Sequence, residues 1–225
     1  MILGLDETGR GAVLGPLVIC GLAVDEKGQK KLKKLGVKDS KLLSPKKREE
    51  LAPKIEKIAI HTVVMHISSC KIDANRRRGV NLNQIEALTM AEIINMVNPD
   101  KVIVDSPTIS DKFKNYLWSK IENKKIKLIA ENYADKNYPV VSAASIVAKV
   151  DRDKKIRELE KKIGEPLGVG YPHDSITIGF LERTAQKNNG KMPRYVRQTW
   201  DTTIQIVKKY EQKGILGFLK KVIKL

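Results

Sequence analysis

The spacing of apolar positions changes several times along this chain, and each change marks an element. An apolar run from Met1 to Leu5 ends at two acids, and a second run spans Val13 to Val24. With Gly9-Arg10-Gly11 between them they read as two hairpin strands, residues 1–7 and about 13–24. The opening five residues carry too few apolar side chains for a signal peptide, so they belong to the folded body. A basic segment follows from Lys27 to Lys38. Ser44 then caps a helix with Pro45 at its first position, and Leu51, Ile55 and Ile58 carry its apolar face to about Ala59. His61 to Ile67 is short and β-branched, a third strand, while Asn75 to Gly79 reads as a polar loop.

Asn81 opens a helix with apolar positions at Leu82, Ile85, Leu88, Ala91, Ile94 and Val97, stopped by Asn98-Pro99. Lys101 to Asp105 is a fourth strand, barred from continuing by Pro107. Phe113 to Asn123 is helical, Ile126 to Ala130 is a fifth strand, and Asp135 lies in the loop beyond it. A long helix runs from Pro139 to about Ile163, with Ala143, Ala144 and Ala148 small enough to approach a sheet closely. From Gly170 the tail reads as short helices split at Asn188-Asn189-Gly190 and at Gly214. The sum is an α/β protein: a mixed five-stranded sheet flanked by helices over residues 1–170, with a small helical C-terminal extension over 171–225.

Charge narrows the class. Forty-three Lys and Arg against 26 Asp and Glu give +17, which favours a polyanionic partner, nucleic acid before an anionic membrane surface. A Lys-rich, heat-tolerant surface is the plainer account of the same number. No apolar stretch approaches the ~20 residues of a membrane helix. Cys20 and Cys70 fit neither metal nor disulfide spacing, and Cys20 sits in an apolar run; a buried thiol in a cytoplasmic, monomeric protein is expected.

The chemistry gathers at strand ends. In sheets of this kind ligands collect at the carboxyl ends of parallel strands. Asp6 and Glu7 end the first strand, Asp105 ends the fourth, and Asp135 lies just past the fifth. If those strands are neighbours, four carboxylates converge, and nothing structural rewards such crowding of like charge. Hard divalent cations resolve it, since carboxylate oxygen suits Mg²⁺ and Mn²⁺. A pair of such ions can activate water and stabilise the leaving oxygen in phosphodiester cleavage. Adjacent strand residues face opposite ways, so Asp6 and Glu7 serve one site only if the strand ends or bulges there. The alternative is a solvated acidic strand end before a turn.

Asp6-Glu7-Thr8-Gly9-Arg10-Gly11 with Gly15-Pro16 resembles the opening signature of type 2 ribonuclease H (ribonuclease HII). So do Asp39-Ser40-Lys41-Leu42-Leu43-Ser44, Asn81-Leu82-Asn83, Asp105-Ser106, Ala134-Asp135 and Gly170-Tyr171-Pro172. The run from Tyr138 to Lys149, with Arg152-Asp153, completes an ordered set spanning about residues 2–174 and looking closest to archaeal members. Thr8, Ala12, Leu42 and Asn132-Tyr133 depart from the common pattern, though none removes a carboxylate.

The resemblance implies a ribonuclease H-like fold and an endoribonuclease. It would hydrolyse the RNA strand of RNA/DNA hybrids and incise 5′ to ribonucleotides embedded in duplex DNA. It implies Asp6, Glu7, Asp105 and Asp135 as catalytic ligands of two ions, Mg²⁺ or Mn²⁺, and products with 5′-phosphate and 3′-hydroxyl ends. It further implies that the Gly9-Arg10-Gly11 backbone grips the 2′-hydroxyl, that Tyr171 stacks on the next sugar, and that Lys41 contacts phosphate.

The remaining polar and aromatic residues have plainer readings. His61 and His66 are structural, and His173 is unassigned. Lys149 and Arg152 are equally solvated helix charges or phosphate contacts. Arg76 to Arg78 form a solvated loop, with contact to a backbone phosphate as the alternative, and Trp118 and Trp200 belong to core rather than to stacking platforms. Near the end Gln212, Ile215, Phe218 and Leu219 match the spacing of a sliding-clamp-binding box, against a plain amphipathic terminal helix. A non-catalytic basic nucleic-acid-binding protein would need only the +17 surface, with affinity falling steeply in salt. The four acids separate the readings, because acids at a phosphate site make sense only with cations.

Overall fold

The computed structural model describes residues 1–37, 43–108 and 111–222, with 212–222 in backbone only. Its five strands are β1 (Ile2–Thr8), β2 (Leu17–Val24), β3 (His61–Ile67), β4 (Lys101–Asp105) and β5 (Lys127–Glu131). They form one mixed sheet in the order β3-β2-β1-β4-β5. β1 pairs antiparallel with β2 in unbroken register from Ile2 opposite Val24 to Thr8 opposite Val18. It pairs parallel with β4 from Ile2 beside Lys101 to Leu5 beside Val104, and β4 continues parallel to β5 as far as Asp105 beside Glu131. The first strand of the chain is therefore central, and β1, β4 and β5 present their carboxyl ends together.

The helices are α1 (Glu26–Leu35), α2 (Pro45–Ile58), α3 (Ser69–Arg77), α4 (Leu82–Val97), α5 (Asp111–Lys120), α6 (Ala134–Asn137), α7 (Pro139–Ile163), α8 (Ser175–Lys187) and α9 (Asp201–Val222). Among the described residues no helix is long and apolar enough to cross a membrane.

The chain divides into two compact units. The first comprises Met1–Thr8, Leu17–His66 and Val80–Asp153. β2 is buried along its whole length, which explains its continuous apolar run. One side of it, Val18, Cys20, Leu22 and Val24, packs in a core with Val140, Ala144 and Val147 of α7 and Ile55 of α2. A side chain at Gly4 would lie 2.6 Å from the carbonyl carbon of Val140, so the glycine admits the α7 backbone against β1. On the opposite side of the sheet a side chain at Gly21 would strike Ile93 of α4. Residues 2, 4 and 6 of β1 thus share the α7 face, and 3, 5 and 7 the α4 face. Burial raises the Cys20 thiol well above its ordinary value, as expected of an inert core cysteine.

The second unit comprises Gly9–Pro16, Ile67–Gly79 and Lys154–Leu225. Its core joins Val13, Leu14, Ile156, Leu167, Phe180, Leu181, Ala185 and Val196. Residues 13–15 are stitched to the tail by Val13 N–H on the Gly170 carbonyl (2.8 Å), Gly15 N–H on Tyr195 (2.9 Å) and a bridge between Leu14 and Val196.

Several sequence expectations are corrected. Asn75, Arg76 and Arg77 are not loop but the last turn of α3, capped by Ser68. The segment from Lys27 to Lys38 contains α1, started by Asp25, which accepts from Gly28 N–H, and ended by Gly36 in the left-handed region. The second strand begins at Leu17, and the boundary expected between 170 and 171 falls inside the second unit. Gly214 does not split the tail, whose backbone stays helical to Val222. Asp135 lies in α6 rather than in a loop.

Candidate active site

Asp6 and Asp105 reach the same place because β1 and β4 run parallel in register. The two acids stand one step beyond the last pair, Leu5 with Val104. Asp135 arrives by a short detour. β5 ends at Glu131, Tyr133 turns the backbone through the left-handed region (φ 60°), and α6 starts at once. The detour is pinned at three points. Ser106 N–H bonds Glu131 carbonyl (2.8 Å), the Asn132 side-chain amide bonds Ser106 carbonyl (2.8 Å), and Ala134 N–H bonds the Asp105 carboxylate (2.9 Å).

Asp6, Asp105 and Asp135 each bring a carboxylate oxygen within 4.8 Å of the others. Asp6 is 4% exposed and Asp135 1%. Burial lifts the Asp6 carboxyl above its ordinary 3.8. The charge of Lys149, the Ser145 hydroxyl and the Glu7 N–H pull it back, and Asp135 adds to the lift. Three acids packed this closely, two of them shut off from water, form a donor set of hard oxygens suited to Mg²⁺ or Mn²⁺.

Glu7 is not in that triplet. β1 runs on in register to Thr8 without a bulge, so the pleat sets the Cβ of Glu7 on the α4 face, opposite Asp6. Its backbone N–H does contribute, donating to the Asp6 carboxylate at 2.7 Å.

Two positions on α7 act on the triplet. Ser145 and Lys149 lie one turn apart, with the lysine ammonium donating to the serine hydroxyl (2.5 Å), and both bear on Asp6. The i, i+4 spacing inside a run of small residues was the readable signal for Ser145. Arg152, read as solvated or phosphate-bound, is 2% exposed and hence not solvated.

The expected substrate-reading residues lie in the second unit. Tyr171 accepts a hydrogen bond from Gly9 N–H at 3.1 Å, and its ring stacks on His173 with centroids 5.5 Å apart. Gly11 is exposed, and a side chain built on it would meet nothing within 4 Å. Lys41 lies outside the described residues, as do the side chains of Gln212, Ile215, Phe218 and Leu219, whose backbone belongs to α9. His66 pairs with Asp151 across the first unit, in keeping with a structural role. Trp118 and Trp200 are half-buried, each under a cation rather than deep in core: Lys124 over the first, Arg76 and Arg197 over the second. Arg197 itself was missed from the sequence, where it is one more cation in a basic tail.

The family model for ribonuclease HII matches residues 3–203. A ribonuclease HII of Methanobrevibacter smithii is 44% identical over 205 residues, covering 89% of this chain and 95% of its own. Among solved structures, the ribonuclease H2 of Pyrococcus horikoshii OT3 superposes with a TM-score of 0.84 at 38% identity, over 93% of this chain and 98% of that one. The PCNA:RNase HII complex of Archaeoglobus fulgidus gives 0.81 at 39% identity, over 92% and 96%.

Proposed function

The chain belongs to the ribonuclease HII family, and from that premise we propose that it hydrolyses the RNA strand of RNA/DNA hybrids and incises 5′ to single ribonucleotides in duplex DNA. As a ribonuclease H of type 2 it is a metal-dependent hydrolase and endonuclease, built on the ribonuclease H-like mixed sheet. The observation that carries the reading is the meeting of Asp6, Asp105 and Asp135 within 4.8 Å at the carboxyl ends of β1 and β4 and the start of α6.

Those three carboxylates would hold the metal, with Glu7 joining them if its side chain is drawn round when ions bind. Two divalent ions there, Mg²⁺ or Mn²⁺, would supply an activated water and neutralise charge on the scissile phosphate, giving 5′-phosphate and 3′-hydroxyl ends. The protein's own groups do the placing. Glu7 N–H fixes one Asp6 oxygen, and Ala134 N–H fixes one of Asp105, so each carboxylate presents a set orientation. Lys149 offsets part of the negative charge around Asp6.

For the substrate, the Gly9-Arg10-Gly11 backbone would take the 2′-hydroxyl, Tyr171 would stack on the adjoining sugar, and Lys41 would contact a phosphate. The helical region from 171 to 225 would then contribute to holding the duplex. The non-catalytic alternative leaves the buried carboxylates without a purpose. We further propose that Gln212, Ile215, Phe218 and Leu219 dock a sliding clamp, supported by the PCNA complex of the Archaeoglobus fulgidus relative. A monomeric cytoplasmic protein suits these roles.

The direct test is a DNA duplex carrying one ribonucleotide, with Mg²⁺ or Mn²⁺. Incision 5′ to the ribonucleotide by the intact protein, lost in Asp135→Asn, is the expected result. No incision by the intact protein, or equal incision by the variant, would defeat the assignment. The clamp reading is tested separately by pull-down, where retention that survives Phe218→Ala would defeat it.

A further inference from the structure

Arg197 is the largest fully buried side chain of the described residues, 0% exposed. Its guanidinium donates to three carbonyls of one short loop: Arg10 at 2.8 Å, Gly9 at 2.6 Å and Gly15 at 3.3 Å. These are charge-assisted bonds from a rigid fork, in an environment that screens them little. The fork is itself braced. Its face lies over the Trp200 ring at 4.8 Å. The two residues that follow Arg197 are held by the buried carboxylate of Asp73, on α3, which accepts from Gln198 N–H (2.8 Å), Thr199 N–H (3.1 Å) and the Thr199 hydroxyl (2.6 Å).

The loop it grips is the Gly9-Arg10-Gly11 turn. Every peptide bond described is trans, and in a trans peptide the C=O and the following N–H point in opposite directions. Two successive carbonyls, of Gly9 and Arg10, are drawn onto the one guanidinium. The N–H groups sharing those peptides, of Arg10 and Gly11, must therefore point away from it, to the other side of the turn. Gly9 N–H is meanwhile taken by Tyr171. A cation on a carbonyl also polarises its peptide, making the attached N–H a stronger donor.

We infer that Arg197 is a positioning residue for substrate recognition: by clamping the carbonyls of Gly9 and Arg10 it aims and strengthens the Arg10 and Gly11 N–H pair that reads the 2′-hydroxyl. The inference rests on the proposed role of that turn. A buried arginine that only held the fold together would alter stability but not the choice between ribose and deoxyribose.

The experiment measures that choice as a ratio, from which the folded fraction cancels. Binding is followed, with Ca²⁺ replacing the catalytic metal, to one DNA duplex with a single ribonucleotide and to the same duplex all in DNA. Wild type prefers the ribonucleotide duplex. Arg197→Met, which keeps length and apolar volume but no donors, loses most of that preference, by about tenfold. Arg197→Lys, with charge but no fork, falls between, and so serves if the methionine variant does not fold. Incision assays on the folded variants show the loss in KM more than in kcat. A preference that stays at the wild-type value in Arg197→Met, or in Arg197→Lys where only that variant folds, overturns the inference and leaves the assigned activity standing. A wild type with no preference defeats the role of the turn, and the inference with it.

Discussion

The Tyr171 hydroxyl accepts a hydrogen bond from the backbone N–H of Gly9, 3.1 Å away, tying together positions 162 residues apart in sequence. The bond fixes both the ring and the first residue of the turn, so in the proposed role Tyr171 would act by its hydroxyl as well as by its face. Tyr171→Phe keeps the face and forfeits the bond, a loss of about 0.5–1.5 kcal/mol. Thermal melts are expected to record that small loss, with incision of a single-ribonucleotide duplex reduced severalfold. Tyr171→Ala removes the stacking surface too and is expected to fall much further. Equal defects in the two variants would show that the ring face contributes nothing.

Under the proposed function Gly11 would separate fold from function at a single atom. It is exposed, and an added Cβ would stand in open space, so nothing in the protein demands glycine there. Gly11→Ala is expected to melt within about 0.5 kcal/mol of wild type, as a benign surface change does. It should nonetheless cut incision by an order of magnitude, because the methyl occupies the space a substrate backbone needs. Unchanged kinetics would show that no ligand approaches that closely.

Metal dependence is legible in stability as well as activity. An ion that binds only the folded state at 100 times its Kd contributes about 2.7 kcal/mol. For a chain of this size each kcal/mol moves Tm by about 2–4 °C. Mg²⁺ or Mn²⁺ is expected to raise the melting temperature of the EDTA-treated protein, and EDTA to abolish incision. Asp135→Asn removes one of three crowded charges. Its metal-free form is expected to melt no lower than wild type, yet to show neither the metal shift nor activity. Calorimetry with and without the ion checks both statements.

Acid sensitivity has a source at Asp174. Burial pushes this carboxyl up, but hydrogen bonds from Val169 N–H, the Thr177 hydroxyl and the N–H groups of Ile176 and Thr177 outweigh it, leaving it below its ordinary 3.8. A carboxylate depressed in the folded state contributes stability above its unfolded value, and the contribution is lost as pH falls through the lower folded one. Asp174→Asn is therefore expected to melt below wild type at pH 7, and the gap should close as the pH drops below about 3.8. A constant gap across that range would assign the effect to packing instead.

The sheet and the triplet were readable for one reason: each acid closes an apolar run that can only be a strand or its exit. Period-two burial placed Asp6 and Asp105 at strand ends from the order of residues alone, whereas the parallel register that makes them neighbours was only a condition of the sequence reading and comes from the fold. The same period made Glu7 a partner of Asp6 only on condition that the strand ended or bulged there, and the unbroken register to Thr8 does not meet that condition. Illegible were elements whose burial is not apolar. α3 buries Ser69, Ile72 and Asp73, so only Ile72 gives a hydrophobic signal, while its arginines read as solvated loop. α1 likewise buries only Gly28 and Leu32 among lysines. Arg197 could not be told from 42 other Lys and Arg residues, because its meaning comes from carbonyls nearly 190 positions upstream.

The parallel pairing of β1 with β4 sets when in the life of the chain this site exists. β1 is made first, and its hairpin with β2 closes a short loop. Leu5 meets Val104 only after about a hundred intervening residues have been gathered in, a non-local closure of the kind that slows folding. Until it forms, Asp6 and Asp105 are strangers, and Asp135 has no β4 to anchor the turn that delivers it. A chain in which β1 and β4 have not yet paired therefore holds its acids apart, and the metal-binding triplet is a product of tertiary closure rather than of any local segment.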